Sequence, residues 1–321
     1  MNKLVFLKYN NFLYTKMDFI TIVFNHELEI QLLKLQAFSF KFIDPELINR
    51  IVVVFNDKKE LNDTFSVTFE NILSYYPTNL KNKVKLLFLK DIGLDFPDSN
   101  WRTQQVVKIQ VAKIVKTKYY IVLDTKNHFI KHINRNFFFN SERKPYMYFD
   151  DAGDIFGTFY NNCLSYFNTT CPNKSLNIGN LRIQTITPFL FITQECLNLI
   201  KHVEQRENRP FHIFFVDTTL YTEFYFYYSY LVHSNKHILY ENNLVHVPFV
   251  TLGPQDPKTN YYNTWDYKKH VIDTQDIRVF SFHRHSLYIL DNEYKKNLLD
   301  FYNKTYQNQD IIKNIFYFLF T

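Results

Sequence analysis

The chain has 321 residues, 46% of them hydrophobic and 21% charged, with a mean hydropathy of -0.27. This balance excludes an intrinsically disordered chain and a multispanning membrane protein, and the length suits one large α/β unit or two packed halves. Five glycines, where average usage of roughly 7% would give about 22, leave no G-x-G-x-x-G or Walker loop, so a bound phosphate must be held by other means. The net charge of +6 is spread along the chain; it suits a phosphate-bearing small molecule, and no nucleic-acid partner is expected. Cys163, Cys171 and Cys196 contain no C-x-x-C pair, which argues against a disulfide scaffold or structural zinc and for a reducing cytoplasm.

In chain order, residues 1–16 read as an extension whose lysines and asparagines interrupt any signal-peptide core. Residues 19–24 then form the first strand, and residues 27–42 a helix that ends at Asp44-Pro45. The β-branched run 51–55 and the apolar run 84–89 suit strands inside a parallel sheet, with a helix over 64–76 between them. A helix over 101–116, anchored by a buried Trp101, leads into the strand 119–123 and Asp124. This alternation is that of a mostly parallel central sheet flanked by helices. Residues 17–130 form the first half of the fold and 131–300 an elaborated second half. Within the second half, residues 183–193 read as a strand entering a helix over 194–204, 211–215 as a strand, and 221–233 as a helix. Residues 248–258 read as a loop, and 278–282 as a strand ending in His283-Arg284-His285, with one imidazole facing the core. The amphipathic segment 311–320 reads as a packed terminal helix, with contact to a membrane surface as the alternative.

In open α/β sheets ligands bind beyond the carboxyl ends of the strands, which singles out Asp124, Lys126 and Asn127. Arg102, Gln105 and Lys108 open a helix whose positive end suits a nucleotide or sugar, although a solvated helix start explains them as well. Glu223 stands among aromatic residues, where burial would suit it to take a proton from a hydroxyl; a first-turn helix acid is the plainer reading. His283 and Arg284 suit an oxyanion, and Asp150 with Asp151 forms a further acidic pair.

Five blocks occur in register: Thr21-x-x-x-Asn25-x-Glu27 leading to Leu35-Gln36-Ala37-x-Ser39, Trp101-Arg102-x-Gln104-Gln105-x-x-Lys108, Leu123-Asp124-x-Lys126-Asn127-His128-Phe129, Thr222-Glu223-Phe224, and His283-Arg284. Together, over about residues 17–290, the chain resembles a group of poorly characterised bacterial and viral glycosyltransferase-like proteins, DUF6492-like, with a GT-A-type nucleotide-sugar fold. The resemblance implies transfer of a sugar from a nucleotide-sugar donor to a glycan or lipid-linked acceptor, often in surface-polysaccharide synthesis, in the cytoplasm or at the inner membrane face. By position, Glu223 takes the place of the acceptor base of inverting enzymes. Asp124, Lys126, Asn127, Arg102, Gln105, Lys108, His283 and Arg284 fall on the donor side, and Asp150 and Asp151 on the acceptor side. Asp124 takes the place of the first carboxylate of the Asp-x-Asp motif, but the third position is Lys126, and an ammonium cannot bind Mg²⁺ or Mn²⁺. Either Asp124 and His283 hold a metal, or Lys126 and Arg284 replace it beside the leaving diphosphate. Two other readings stand beside this one. One is a non-catalytic binding module on the same fold. The other is a metal-dependent nuclease of the Pro-Asp…(Asp/Glu)-x-Lys kind, built on Pro97-Asp98 and Asp124-Thr125-Lys126. An aromatic-rich surface patch would support a homodimer.

Overall fold

The computed structural model describes residues 16–96, 100–150, 153–172, 181–243, 247–252, 272–288 and 290–320. Its centre is a five-stranded sheet in which β1 (Met17–Val23), β2 (Ile48–Phe55), β3 (Val84–Phe88) and β4 (Tyr119–Asp124) run parallel. The order is β3-β2-β1-β4, closed by an antiparallel edge strand, β8 (Phe189–Ile192). Every residue of β1 is buried, and β4 is buried up to Asp124, as expected of strands covered on both faces. The chain runs outward from β1 through β2 to β3 and then returns to lay β4 on the other side of β1. That reversal opens a crevice beyond the carboxyl ends of β1 and β4.

Helix α1 (Glu27–Ser39) is buried on most sides because it is packed on two of them. Leu33 and Ala37 join the core under the central sheet, while Leu28, Leu32 and Leu35 join a second core. The helices α2 (Asn62–Leu73) and α3 (Trp101–Gln110) complete the first half, and α3 finishes in a 3-10 turn at Val111–Lys113.

The second half adds two small sheets and six helices among the described residues. Strand β5 (Asn127–Phe129) pairs antiparallel with β11 (Val279–Phe282), which lies parallel to β10 (Phe249–Leu252). Strand β6 (Tyr146–Asp150) lies between β7 (Arg182–Ile183) and β9 (Glu241–Asn243). The helices are α4 (Gly153–Tyr166), α5 (Thr193–Glu207), α6 (Phe211–Asp217), α7 (Glu223–His233), the single turn α8 (Arg284–Leu287) and α9 (Asn292–Tyr306). The terminal helix α10 (Gln309–Phe320) buries Ile312, Ile315, Phe316 and Leu319 in the second core. It is a packed element, and among the described residues no helix is long and apolar enough to cross a membrane.

Several expectations are corrected. Residues 211–215 are helical: Phe211, Phe214 and Phe215 recur at helical spacing and are buried together, a pattern that a short apolar run shares with a strand. Residues 183–193 do not form one strand, because Pro188 separates β7 from β8. Residues 249–252, expected in a loop, form β10, while 253–258 lie outside the described residues. Trp101 is 54% exposed, not buried, and neither His283 nor His285 enters the core.

Candidate functional site

The carboxyl ends of the central strands open into a cleft of about 830 Å³, within the usual size of a ligand pocket. Ile22 of β1, Phe24 just after it, Asn56 after β2 and Asp124 at the end of β4 form its base. The first turns of α3 and α7 bring Trp101, Gln104, Thr222 and Glu223, and the turn after β11 brings His283, Arg284 and His285.

The turn after Asp124 is held from three sides. The Asn127 Oδ1 accepts from the Asp124 backbone N–H at 2.7 Å, and its amide donates to the Thr187 carbonyl at 3.0 Å and the Ser281 hydroxyl at 2.8 Å. Gln36 donates to the carbonyls of Asp124 (2.6 Å) and Asn127 (3.2 Å), while its own oxygen accepts from Thr21 at 2.7 Å. Asn127, expected to touch the donor, is thus fully buried and engaged in positioning Asp124.

Four charged groups form a chain across the cleft base. Lys108, 5% exposed, places its ammonium 3.0 Å from Glu223 Oε1 and 3.2 Å from Asp124 Oδ1. Lys126 lies 3.2 Å from the other oxygen, Asp124 Oδ2, which also accepts from the Thr187 hydroxyl at 2.9 Å. Burial pushes the Asp124 carboxyl upward, but the ammoniums of Lys108 and Lys126 outweigh it and hold the group well below the usual carboxylate range. Burial would likewise lower Lys108, yet its two carboxylates hold it well above the ordinary lysine value. A second group joins the cleft wall: Arg284 donates to Glu29 Oε1 at 3.2 Å and lies over the Phe24 ring at 4.6 Å, and Thr125 donates to the other Glu29 oxygen. The His283 imidazole accepts from the His285 backbone N–H at 3.3 Å. Burial, then the charges of Lys126, His285 and Arg284, depress His283 to about 4.

The sequence-predicted residues therefore divide. Asp124, Lys126, Lys108, Glu223, His283 and Arg284 come together around the cleft. Arg102 turns away: its guanidinium donates to the carbonyls of Phe215, Thr218 and Tyr221 and stacks on the Phe215 ring, clamping the segment that leads into α7. Gln105 is buried beside it, 3.3 Å from Arg102, and neither residue lines the cleft. Asp150 ends β6, but its side chain, like Asp151, lies outside the described residues, as do Pro97 and Asp98 of the nuclease pattern. Glu29 was not anticipated. An acid in the first turn of a helix reads as a partner of the helix dipole, and only the arrival of Arg284 from far along the chain gives it another role.

The metal alternative, Asp124 with His283, does not fit at Asp124. Both Asp124 oxygens face ammonium groups, so a divalent cation would meet positive charge where it needs free oxygen ligands. Among the described residues, no group of three or more His, Cys, Asp or Glu side chains is placed to hold a metal.

No curated protein sequence matches the chain. Among solved structures, it is similar to the galactosyltransferase LgtC in complex with donor and acceptor sugar analogs, with a TM-score of 0.47, 11% identity and coverage of 95% of this chain and 97% of that one. Mouse xyloside xylosyltransferase 1 follows with a TM-score of 0.39, 7% identity and coverage of 83% and 97%. The bifunctional glycosyltransferase WbbM has a TM-score of 0.40 at 13% identity, covering 93% of this chain and 51% of its own length. The profile described as "Family of unknown function (DUF6492)" matches residues 39–290, more than half of the chain, which therefore belongs to that family.

Proposed function

We propose that the chain is a GT-A-type glycosyltransferase that moves a sugar from a nucleotide-sugar to a hydroxyl of a glycan or lipid-linked acceptor, without a metal. The observation that carries this reading is the cleft at the strand reversal, lined by Lys126, Arg284 and His283, with Glu223 joined to Asp124 through Lys108. Lys126 and Arg284 would exchange their carboxylate partners for the diphosphate of the donor, supplying the charge that a metal supplies elsewhere. The acceptor oxygen bonds to the anomeric carbon as the bond to the diphosphate breaks. The electron pair of the broken bond leaves on the diphosphate, and the hydroxyl proton passes to Glu223. We assign surface-polysaccharide synthesis in the cytoplasm as the setting, on the strength of the sequence resemblance.

A thermal-shift panel of UDP-, GDP-, dTDP- and CMP-linked sugars, in EDTA or with Mn²⁺, tests the reading. Stabilisation by one nucleotide class should persist in EDTA and vanish in Lys126→Gln. Glu223→Gln should retain that shift while transfer falls by about 10²–10⁴. No shift with any nucleotide sinks the proposal, and a shift that requires Mn²⁺ sinks its metal-free form. The ion pair between Glu223 and Lys108 favours a second reading, a binding module on the same fold, because a carboxylate held by an ammonium is a restrained proton acceptor. That reading holds if the wild type binds a nucleotide-sugar and no acceptor yields product.

A further inference from the structure

The wall of the cleft on the Glu223 side differs in chemistry from its cationic end. Trp101 is 54% and Phe156 39% exposed, and both line this cleft. The Trp101 ring is propped edge-to-face against Phe159 of α4 at 6.5 Å, and α4 is tied to α7 by the Tyr160 and Tyr225 rings 5.1 Å apart. Rings and base thus share one scaffold with Glu223, the first residue of α7.

A second observation points to a ligand here. Thr222 occupies the N-cap of α7 with extended backbone, a position where its hydroxyl would ordinarily accept an N–H of the first turn. It makes no such bond. The residue is 2% exposed, its Oγ1 has no partner among the described residues, and it lines the cleft. A buried hydroxyl left unpaired costs free energy that a ligand can recover. The amide of Gln104 borders the same wall. Aromatic faces beside neutral hydrogen-bonding groups suit an uncharged ring with one apolar face and a rim of hydroxyls, which is the chemistry of a pyranose. A charged group would find its partners at the other end.

We infer that Trp101, Phe156, Thr222 and Gln104 form a pyranose subsite that seats the acceptor sugar, with a hydroxyl directed to Glu223. The inference rests on the transferase reading for the word acceptor, though not for the sugar. The ring lies on Trp101, and Thr222 Oγ1 and the Gln104 amide bond its hydroxyls.

The chain has two tryptophans, Trp101 and Trp265, so a Trp265→Phe variant makes Trp101 the fluorescent reporter. Methyl glucopyranosides and galactopyranosides at millimolar concentration should shift its emission saturably, and adding Thr222→Val should weaken that binding about two- to tenfold. In transfer assays Trp101→Ala should raise the acceptor KM about tenfold and leave the nucleotide thermal shift unchanged. Trp101 is exposed and Thr222→Val nearly isosteric, so both variants should fold. The subsite is refuted if no glycoside perturbs Trp101, if Thr222→Val binds as tightly as its parent, or if Trp101→Ala weakens nucleotide binding, which would assign the wall to the nucleobase. Nucleotide-sugar binding without glycoside binding removes this inference and leaves the transferase reading standing. Glycoside binding without nucleotide binding does the reverse.

Discussion

Lys108→Met removes the ammonium that the buried Glu223 and the partly buried Asp124 share, and the structure sets the scale of the loss. The ammonium sits 3.0 Å from Glu223 and 3.2 Å from Asp124 and lies over the Phe224 ring at 5.0 Å, and methionine fills much of the same space. Breaking a buried ion pair by deleting one partner costs about 3–5 kcal/mol, because the other charge is left desolvated. For a chain of 321 residues, an unfolding entropy of about 2 cal/mol/K per residue converts that into a Tm loss of about 4–8 °C. The pH dependence distinguishes this cause from simple packing loss. In the wild type, Asp124 is held low, so its contribution is present above the ordinary carboxylate pKa and is lost only as acid titrates the folded group. In the variant Asp124 loses one of the two ammoniums that oppose its burial, so its carboxyl takes up a proton more readily than in the wild type and the deficit should shrink as pH falls from 7 toward 5. Urea unfolding at several pH values reads both quantities. Glu223→Gln added to Lys108→Met should recover about 1–3 kcal/mol relative to additivity. A deficit below about 1 kcal/mol that does not change with pH would refute the buried three-charge arrangement, since an exposed pair is worth about that much or less.

Arg102→Lys should destabilise the fold by about 1–3 kcal/mol, because a compact ammonium lacks the planar fork that reaches the carbonyls of Phe215, Thr218 and Tyr221 from two nitrogens while stacking on the Phe215 ring; a nucleotide affinity that fell while stability held would place Arg102 in the donor site instead. His128 is fully buried and 2.9 Å from the Tyr302 hydroxyl, and burial depresses it to about 3. The unfolded chain takes up a proton near pH 6.5 that the folded chain refuses until about pH 3, so stability falls with acid by about 1.4 kcal/mol per pH unit across that window. Urea unfolding from pH 6 to 4.5 should show that slope reduced by one proton in His128→Asn, and equal slopes would count against the assignment.

The parts of this molecule that the sequence displays are those governed by local pattern. The β-branched run of β2 and the apolar β4 ending in Asp124 read as buried strands, and their alternation with helices implies the parallel sheet and, with it, the side on which a ligand sits. The charged cluster is legible in part for the same reason, since Asp124, Lys126 and His283 follow strand ends. What the pattern conceals is set by partners distant in sequence. Arg102 and Trp101 are neighbours at one helix start, and amphipathic reasoning offers the arginine to the ligand and the tryptophan to the core. The structure exchanges them, because the carbonyls that bind the guanidinium come from residues 215–221 and the wall that exposes the indole comes from α4. Asn127 shows the same inversion: a polar residue after a buried strand reads as ligand-facing, yet Ser281 and Thr187 claim its amide. The residues of the five sequence blocks are therefore of two kinds. Thr21, Gln36 and Asn127 hold the turn, while Asp124, Lys126, Glu223 and Arg284 face the cleft. A substitution in the first kind should act on cleft chemistry only through the position of Asp124. Asn127→Ala would then lower stability and the binding of every nucleotide together, whereas Lys126→Gln would affect nucleotide binding with stability nearly unchanged. If Asn127→Ala instead kept its stability and lost one nucleotide class alone, the amide would belong to the donor pocket, and the division drawn here between turn and cleft would fail.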